Sequence, residues 1–508
     1  MEGSKGRRLG IAAAALAALA AFCLPAAAAS TKTAAANRKT KAVRPVRELT
    51  LAERLAAVAR RGPIRDRSQI GVAIAPIGQP AILSTNADAD LILASTTKLF
   101  TTSAALDRLG PGYRFRTSLL QDGEVLADGT LAGRLVIHGG GDPAISGRLY
   151  ENDPWAVFRP WSAALAARGI RSIRDGLLLD TSFFDDEKTH PHWPAAQEQN
   201  WYQAPVSALS YNDNVVLVRV TGAVRPGGRA SLGFYPAQPF LMSVVGQVAT
   251  LGGRGANVGV SRRAGSARVY ATGAVGSRRT WSGDVTVVDP PLYLASAFTK
   301  ALREDGIAVG GLPEVRGRAS APAKPLPVLY VHETPILPVL SVCNKRSQSF
   351  FAEQILKTLG AERRGSGSWK GGLAEVEGFL RSLGLDPSRY RIADGSGRSR
   401  ENRSSAAAYL DFLQALATRW KYFPQYEPTL AVTGSMDGSL RHRMLGADTR
   451  GKVFAKTGNI AGVVTLAGYI EARSGQRYAF VLLANGGCSE GRGHAWQDRI
   501  LTELARWG

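Results

Sequence analysis

Cysteine is almost missing from this 508-residue chain: there are three, and Cys23 lies in an apolar stretch near the start. That excludes a disulfide-stapled scaffold, since Cys343 and Cys488 could form one bridge at most. The histidines (His138, His190, His192, His332, His442 and His494) are scattered without metal-ligand spacing. No zinc or other metal site is therefore expected, and no cofactor. None of them sits in a nucleophile-elbow context either. Acid is scarce, with 41 Asp and Glu against 63 Lys and Arg and a net charge of +22. Such a surplus points to an anionic partner. The basic residues are not interleaved with aromatics as in a single-strand binder, so no nucleic acid is expected. After the first 29 residues no apolar run reaches the length of a membrane span.

The apolar run that does exist opens the chain. Lys5, Arg7 and Arg8 precede Ile11 to Leu24, and the small residues Ala26 to Ala29 follow. This is the pattern of a secretory signal cleaved near Ala29. Cys23 follows Phe22, where a lipoprotein site wants a small residue. Residues 1–29 thus read as a signal peptide and the mature chain as a soluble exported protein of the periplasm or cell envelope, with no transmembrane anchor. Residues 30–48 read as a flexible basic linker, suited to anionic envelope polymers.

The length calls for more than one core. A helix is expected near 49–61. IGVAIAPI (70–77) and AILST (81–85), separated by Gly78-Gln79-Pro80, read as a hairpin. From about 113 to 330 short β-like runs alternate with Gly and Pro turns, a texture of inserted, mostly β material. Helical periodicity returns after Pro335, and the chain closes with three strands, 453–457, 463–470 and 478–484, and an amphipathic helix. The front hairpin and the three last strands are expected to share one sheet.

The chemistry is concentrated in LILASTTKLFTTSAALDRLGPG (91–112). Apolar residues recur at helical spacing from Leu99 to Leu109, Gly110-Pro111 is a stop, and Ser95 is expected to open the helix. Residues three apart on a helix share a face, which brings the Lys98 amine to the Ser95 hydroxyl. Burial lowers a lysine's pKa and makes it a base. Four residues spelling S-x-x-K often mark only a helix start with a serine cap. A second signal, Lys456-Thr457-Gly458 on the first of the closing strands, makes the pair specific.

With these motifs, and with HGGGDP (138–143), YQAPVSALSYNDN (202–214), ADGSGRSRENR (393–403) and FAKTGNIAGVVTLAGYI (454–470), the chain resembles the penicillin-binding proteins. It is most similar to their class C D-alanyl-D-alanine carboxypeptidase/endopeptidase family, peptidase family S13. The resemblance implies an α/β (α+β) transpeptidase/β-lactamase-like domain, built from 49–112 and 331–508 with an antiparallel sheet and flanking helices. The β-rich region 113–330 interrupts it. It implies a serine DD-peptidase acting on peptidoglycan stem peptides, with β-lactams as inhibitors. Ser95 is the nucleophile and Lys98 its base, while Ser347 relays the proton to the leaving amine. Lys456 keeps Lys98 neutral by like-charge repulsion and attracts the substrate carboxylate, which Thr457 and Gly458 help to bind. The backbone N–H groups of Ser95 and Asn459 form the oxyanion hole. The middle motif departs from the family: Ser347-Gln348-Ser349 puts Ser349 where asparagine is the rule. Ser210-Tyr211-Asn212 spells the pattern but falls in the inserted region. In the pocket for the stem side chain Tyr202 and Arg400 match, whereas the acidic position falls on Gln197, beside Glu198. A catalytically weakened peptidoglycan-binding relative, or a β-lactam-hydrolysing or esterase-like variant, are the alternatives. Asp142 and Asp394 read as turn residues rather than acids.

Overall fold

Alternation along the strands explains how the central sheet is covered on both faces. In Ile70–Pro76, Val463–Glu471 and Arg477–Ala484 nearly every residue is buried. One set of alternate side chains, including Val72, Ile74, Leu466, Ile470, Phe480 and Leu482, packs with Leu55 of helix Leu51–Arg60 and Trp496, Ile500 and Leu504 of helix Glu490–Trp507. The other set, including Ala73, Ala75, Ala467, Tyr469, Val481 and Leu483, packs with Phe100 of helix Lys98–Leu109 and Phe412, Leu413 and Leu416 of helix Ala406–Arg419. Side chains two apart on a strand share a face, so a continuous apolar run is what a sheet between two helical layers requires.

The computed structural model describes residues 48–237, 241–318 and 325–508. The expected signal peptide, and the basic linker apart from Glu48, lie outside them. The six strands of the central sheet run in the order Ala431–Val432, Val453–Ile460, Val463–Glu471, Arg477–Ala484, Ile70–Pro76, Leu83–Thr85, all antiparallel. Front hairpin and closing strands do share one sheet. Strand Ala431–Val432 pairs only with Ala455 and Phe454. From Lys456 onward the outer edge of its neighbour has no strand partner among the described residues.

Between residues 114 and 335 lie two three-stranded sheets and a seven-stranded mixed one. A separate apolar cluster, running from Leu119 to Leu329, fills this region. It is less purely β than its turn-rich texture suggests. Helices Arg159–Ala167 and Pro290–Glu304 supply Trp161, Leu294 and Phe298 to that cluster. The second carried a readable start signal: the Asp289 carboxylate accepts from the Leu292 N–H at 3.2 Å, and two prolines occupy the first turn.

Cys343 and Cys488 are both free and buried. They belong to apolar clusters on opposite faces of the sheet, which is why no bridge joins them.

Candidate active site

Ser95 sits in a 3-10 turn, Ala94–Thr97, immediately before the helix rather than within it. The turn is pinned from three directions. Asn485 exchanges hydrogen bonds with the backbone of Ile92. The Thr465 hydroxyl donates to the Leu93 carbonyl at 2.8 Å. Tyr409 donates to the Thr96 carbonyl at 2.6 Å. Two glycines let other segments close on it. A Cβ on Gly397, whose φ is +79°, would lie 1.8 Å from the Ala94 carbonyl oxygen, and one on Gly458 would lie 3.1 Å from the Ser95 nitrogen and 2.1 Å from Thr465 Oγ1. Only glycine permits those approaches.

The spacing of three works as expected. Lys98 Nζ donates to Ser95 Oγ at 3.0 Å, to the Ser396 carbonyl at 2.7 Å, and makes a long contact of 3.4 Å to Ser349 Oγ. Lys98 is fully buried, and loss of hydration lowers its pKa to about 8, against the opposing pull of Cys343, Glu353 and Asp394. Burial also pushes the Glu353 carboxyl up to about 7, with the Asp394 charge adding to the rise. Glu353 accepts from the N–H groups of Gly395 and Ser396 and from the Trp369 indole. It thereby fixes the carbonyl that holds Lys98.

Lys456 is also fully buried. Its Nζ donates to Ser347 Oγ at 2.8 Å and to the Thr457 carbonyl at 2.7 Å. Loss of hydration drives its pKa well down, and the positive charge of Lys98 drives it further. Glu353 and Asp394 offset that mutual repulsion at Lys98, whereas no carboxylate does so at Lys456. Ser347 has φ of 58° in the turn between helices Ile336–Lys345 and Ser349–Arg364, and that left-handed turn presents its hydroxyl to Lys456. Gln348, between the two serines, donates to Asp213 at 2.7 Å. Ser210 and Asn212 bond their own local backbone and do not line the cleft.

Ser95, Ser347, Ser349, Thr457 and Asn459 line one cleft of about 1000 Å³, together with Tyr202, Gln197 and Arg400. Thr457 donates to Ser439 Oγ at 2.8 Å. Arg400 reaches the Ala461 carbonyl at 3.0 Å. Tyr202 and Gln197 are instead met by Arg398: its guanidinium lies 5.2 Å from the Tyr202 ring and donates to the Gln197 side chain. Glu198 turns away to pair with Arg262. Asp394 caps the turn that follows it, accepting from the N–H groups of Gly397 and Ser399, and Asp142 caps Ala144. Both behave as turn residues.

Sequence reasoning missed Glu353, the Ser396 carbonyl, Ser439 and Arg398. Glu353 carried a signal, a lone carboxylate inside the apolar run FFAEQIL; the others did not.

The profile of the D-Ala-D-Ala carboxypeptidase 3 (S13) family matches residues 51–506. The chain belongs to that family. A D-alanyl-D-alanine carboxypeptidase of Actinomadura sp. is 31% identical over 430 residues, covering 82% of this chain and 77% of the relative. The D-alanyl-D-alanine carboxypeptidase DacB of Haemophilus influenzae is 27% identical over 433 residues, covering 82% and 86%. In three dimensions the crystal structure of penicillin binding protein 4 (dacB) from Haemophilus influenzae superposes with a TM-score of 0.75 at 24% identity, over 89% of this chain and 99% of that one. That likeness establishes a penicillin-binding fold for this S13 member.

Proposed function

We propose that this protein is an exported serine DD-peptidase that removes the terminal D-alanine from peptidoglycan stem peptides, and cuts DD cross-links by the same chemistry, through an acyl-enzyme on Ser95. The observation that carries the reading is the 3.0 Å contact between Ser95 Oγ and a buried lysine of lowered pKa at the wall of an open cleft. An amine of pKa about 8 is partly neutral at physiological pH and can take a hydroxyl proton.

In this reading the neutral Lys98 amine takes the Ser95 proton as Oγ attacks the carbonyl of the penultimate residue. The developing oxyanion is held by the N–H groups of Ser95 and Asn459, each such donor being worth about 10² to 10³ in rate. Ser347, oriented by its hydrogen bond from Lys456, relays that proton from Lys98 to the leaving D-alanine amine, which returns Lys98 to its neutral form. Water then releases the acyl group. The unpaired edge from Lys456 to Ile460 suits an extended peptide adding as a further strand. The substrate's terminal carboxylate sits near Lys456, Thr457 and Gly458. Its charge restores the proton on Lys456, and repulsion between the amines then favours neutral Lys98. Tyr202 and Arg400 face the stem side chain. β-Lactams acylate the same serine.

The same reading divides the chain into a catalytic domain, 49–112 with 331–508, and the insert 113–330. The insert's own apolar cluster supports this. A leader in residues 1–29 delivers the protein to the periplasm or cell envelope. The long Lys98–Ser349 contact favours a second reading, a weakened relative that binds peptidoglycan without turning it over. Release of D-alanine from a pentapeptide ending in D-Ala-D-Ala decides between them. Steady release supports the peptidase, and none from folded protein rejects it.

A further inference from the structure

Residues 214–283 contain nine arginines and no Asp, Glu or Lys. Charge of a single sign over such a stretch leaves its arginines without local neutralisation. Arg262 is buried and pairs with Glu198 at 3.2 Å. The other eight are exposed, and no ion pair forms on any of them among the described residues.

Five of the eight gather on one tip. The loops 222–229, 251–255 and 276–279 are tied together by backbone hydrogen bonds. Gly222 N–H donates to Arg279 O, Gly227 N–H to Thr250 O, Ser277 N–H to Leu251 O and Arg278 N–H to Ala223 O, at 2.8 to 3.1 Å. Thr250 Oγ1 accepts from Ala223 N–H at 2.9 Å. This common frame carries Arg225, Arg229, Arg254, Arg278 and Arg279. It also carries two aliphatic side chains with no cover, Val224 at 63% exposure and Leu251 at 54%. A scattered exposed aliphatic is ordinary. Two of them at the end of an acid-free, arginine-bearing tip form a combined apolar and cationic surface.

We infer that this tip docks on an anionic phospholipid bilayer, with Val224 and Leu251 entering the headgroup region and the arginines engaging lipid phosphates. A soluble polyanion would engage the arginines alone and would leave the two aliphatics in water. A bilayer takes both groups at once. This inference does not depend on the peptidase chemistry, because none of these residues lines the catalytic cleft.

The test is co-sedimentation of the full mature chain with vesicles of phosphatidylcholine alone, or of phosphatidylcholine mixed with phosphatidylglycerol. The parent is compared with Arg254→Ser/Arg278→Ser/Arg279→Ser and with Val224→Asp/Leu251→Asp. The basic segment 30–48 is the same in all three proteins, so its contribution cancels. An unchanged circular-dichroism spectrum and melting temperature report that each variant is folded. Each arginine near an anionic surface is worth about five-fold in binding, so the triple variant loses roughly 100-fold on the phosphatidylglycerol vesicles. The aspartate pair also loses binding, and the parent ignores neutral vesicles. Undiminished binding by either variant overturns the inference. So does a parent that binds soluble poly(glycerol phosphate) as tightly as vesicles, which would assign the tip to a polymer.

Discussion

Replacing Glu353 by Gln should move the pH dependence of acylation to lower pH. Lys98 has a pKa of about 8 in the folded site. Its neutral fraction then rises from about one-tenth at pH 7 to about nine-tenths at pH 9, so the second-order rate of acylation by a chromogenic β-lactam should climb about tenfold, half-maximal near pH 8. Glu353 opposes the effect of burial by raising that pKa. With the charge removed the midpoint falls. A fall of one unit makes Lys98 half neutral at pH 7, a gain of about fivefold, and the gain cannot exceed about tenfold. Gln at 353 also sets an amide against the donors of Gly395, Ser396 and Trp369. The midpoint is therefore the quantity to read, since a loss of folded protein lowers the amplitude without moving it. Stability carries the same signature. Because folding lowers the Lys98 pKa, the unfolded chain binds more protons between about pH 8 and 10.5, so this group's cost of about 3 kcal/mol is fully felt below pH 8 and relieved as pH rises through that window. A flat wild-type profile from pH 7 to 9, or a variant midpoint above that of the wild type, would refute the role given to Lys98.

Gly458→Ala should cut acylation by about 100-fold or more, because its Cβ would press on Thr465, Leu93 and the Ser95 nitrogen and spoil an oxyanion donor; stopped-flow acylation measures it. Ser349→Asn should raise the acylation rate about fivefold or more, since the longer amide replaces a 3.4 Å contact to Lys98 by a full hydrogen bond worth roughly 1 to 3 kcal/mol; an unchanged rate would show that the serine already suffices. Cys343 should resist alkylation in the native protein, its thiol pushed up to about 12 by burial, and reductant should leave the melting temperature unchanged; thiol titration before and after denaturation checks both.

The strands and helices of the central layer were legible because apolar runs and helical spacing over 70–77, 98–109, 463–470 and 478–484 have one solution each, a sheet buried on both faces. The Ser95–Lys98 pair was legible because it is local. What holds the pair was not. The Ser396 carbonyl, Glu353 and Gly397 all come from the far third of the chain, and the reason for each is a contact rather than a pattern. Arg398 illustrates the same limit. Its sequence spacing says nothing of the Tyr202 ring it lies against, and only the fold shows that it, rather than Arg400, meets Tyr202 and Gln197. The electrostatic balance of the two lysines was likewise hidden, since it depends on which amine has carboxylates behind it.

Labelled penicillin, followed by peptide mass spectrometry, is the most direct trial of the whole account. One adduct, on Ser95, formed faster at pH 8.5 than at pH 7 and lost in Lys98→Met, is what the geometry predicts. An adduct on Ser347 or Ser349 instead, or none on protein shown to be folded, would contradict it.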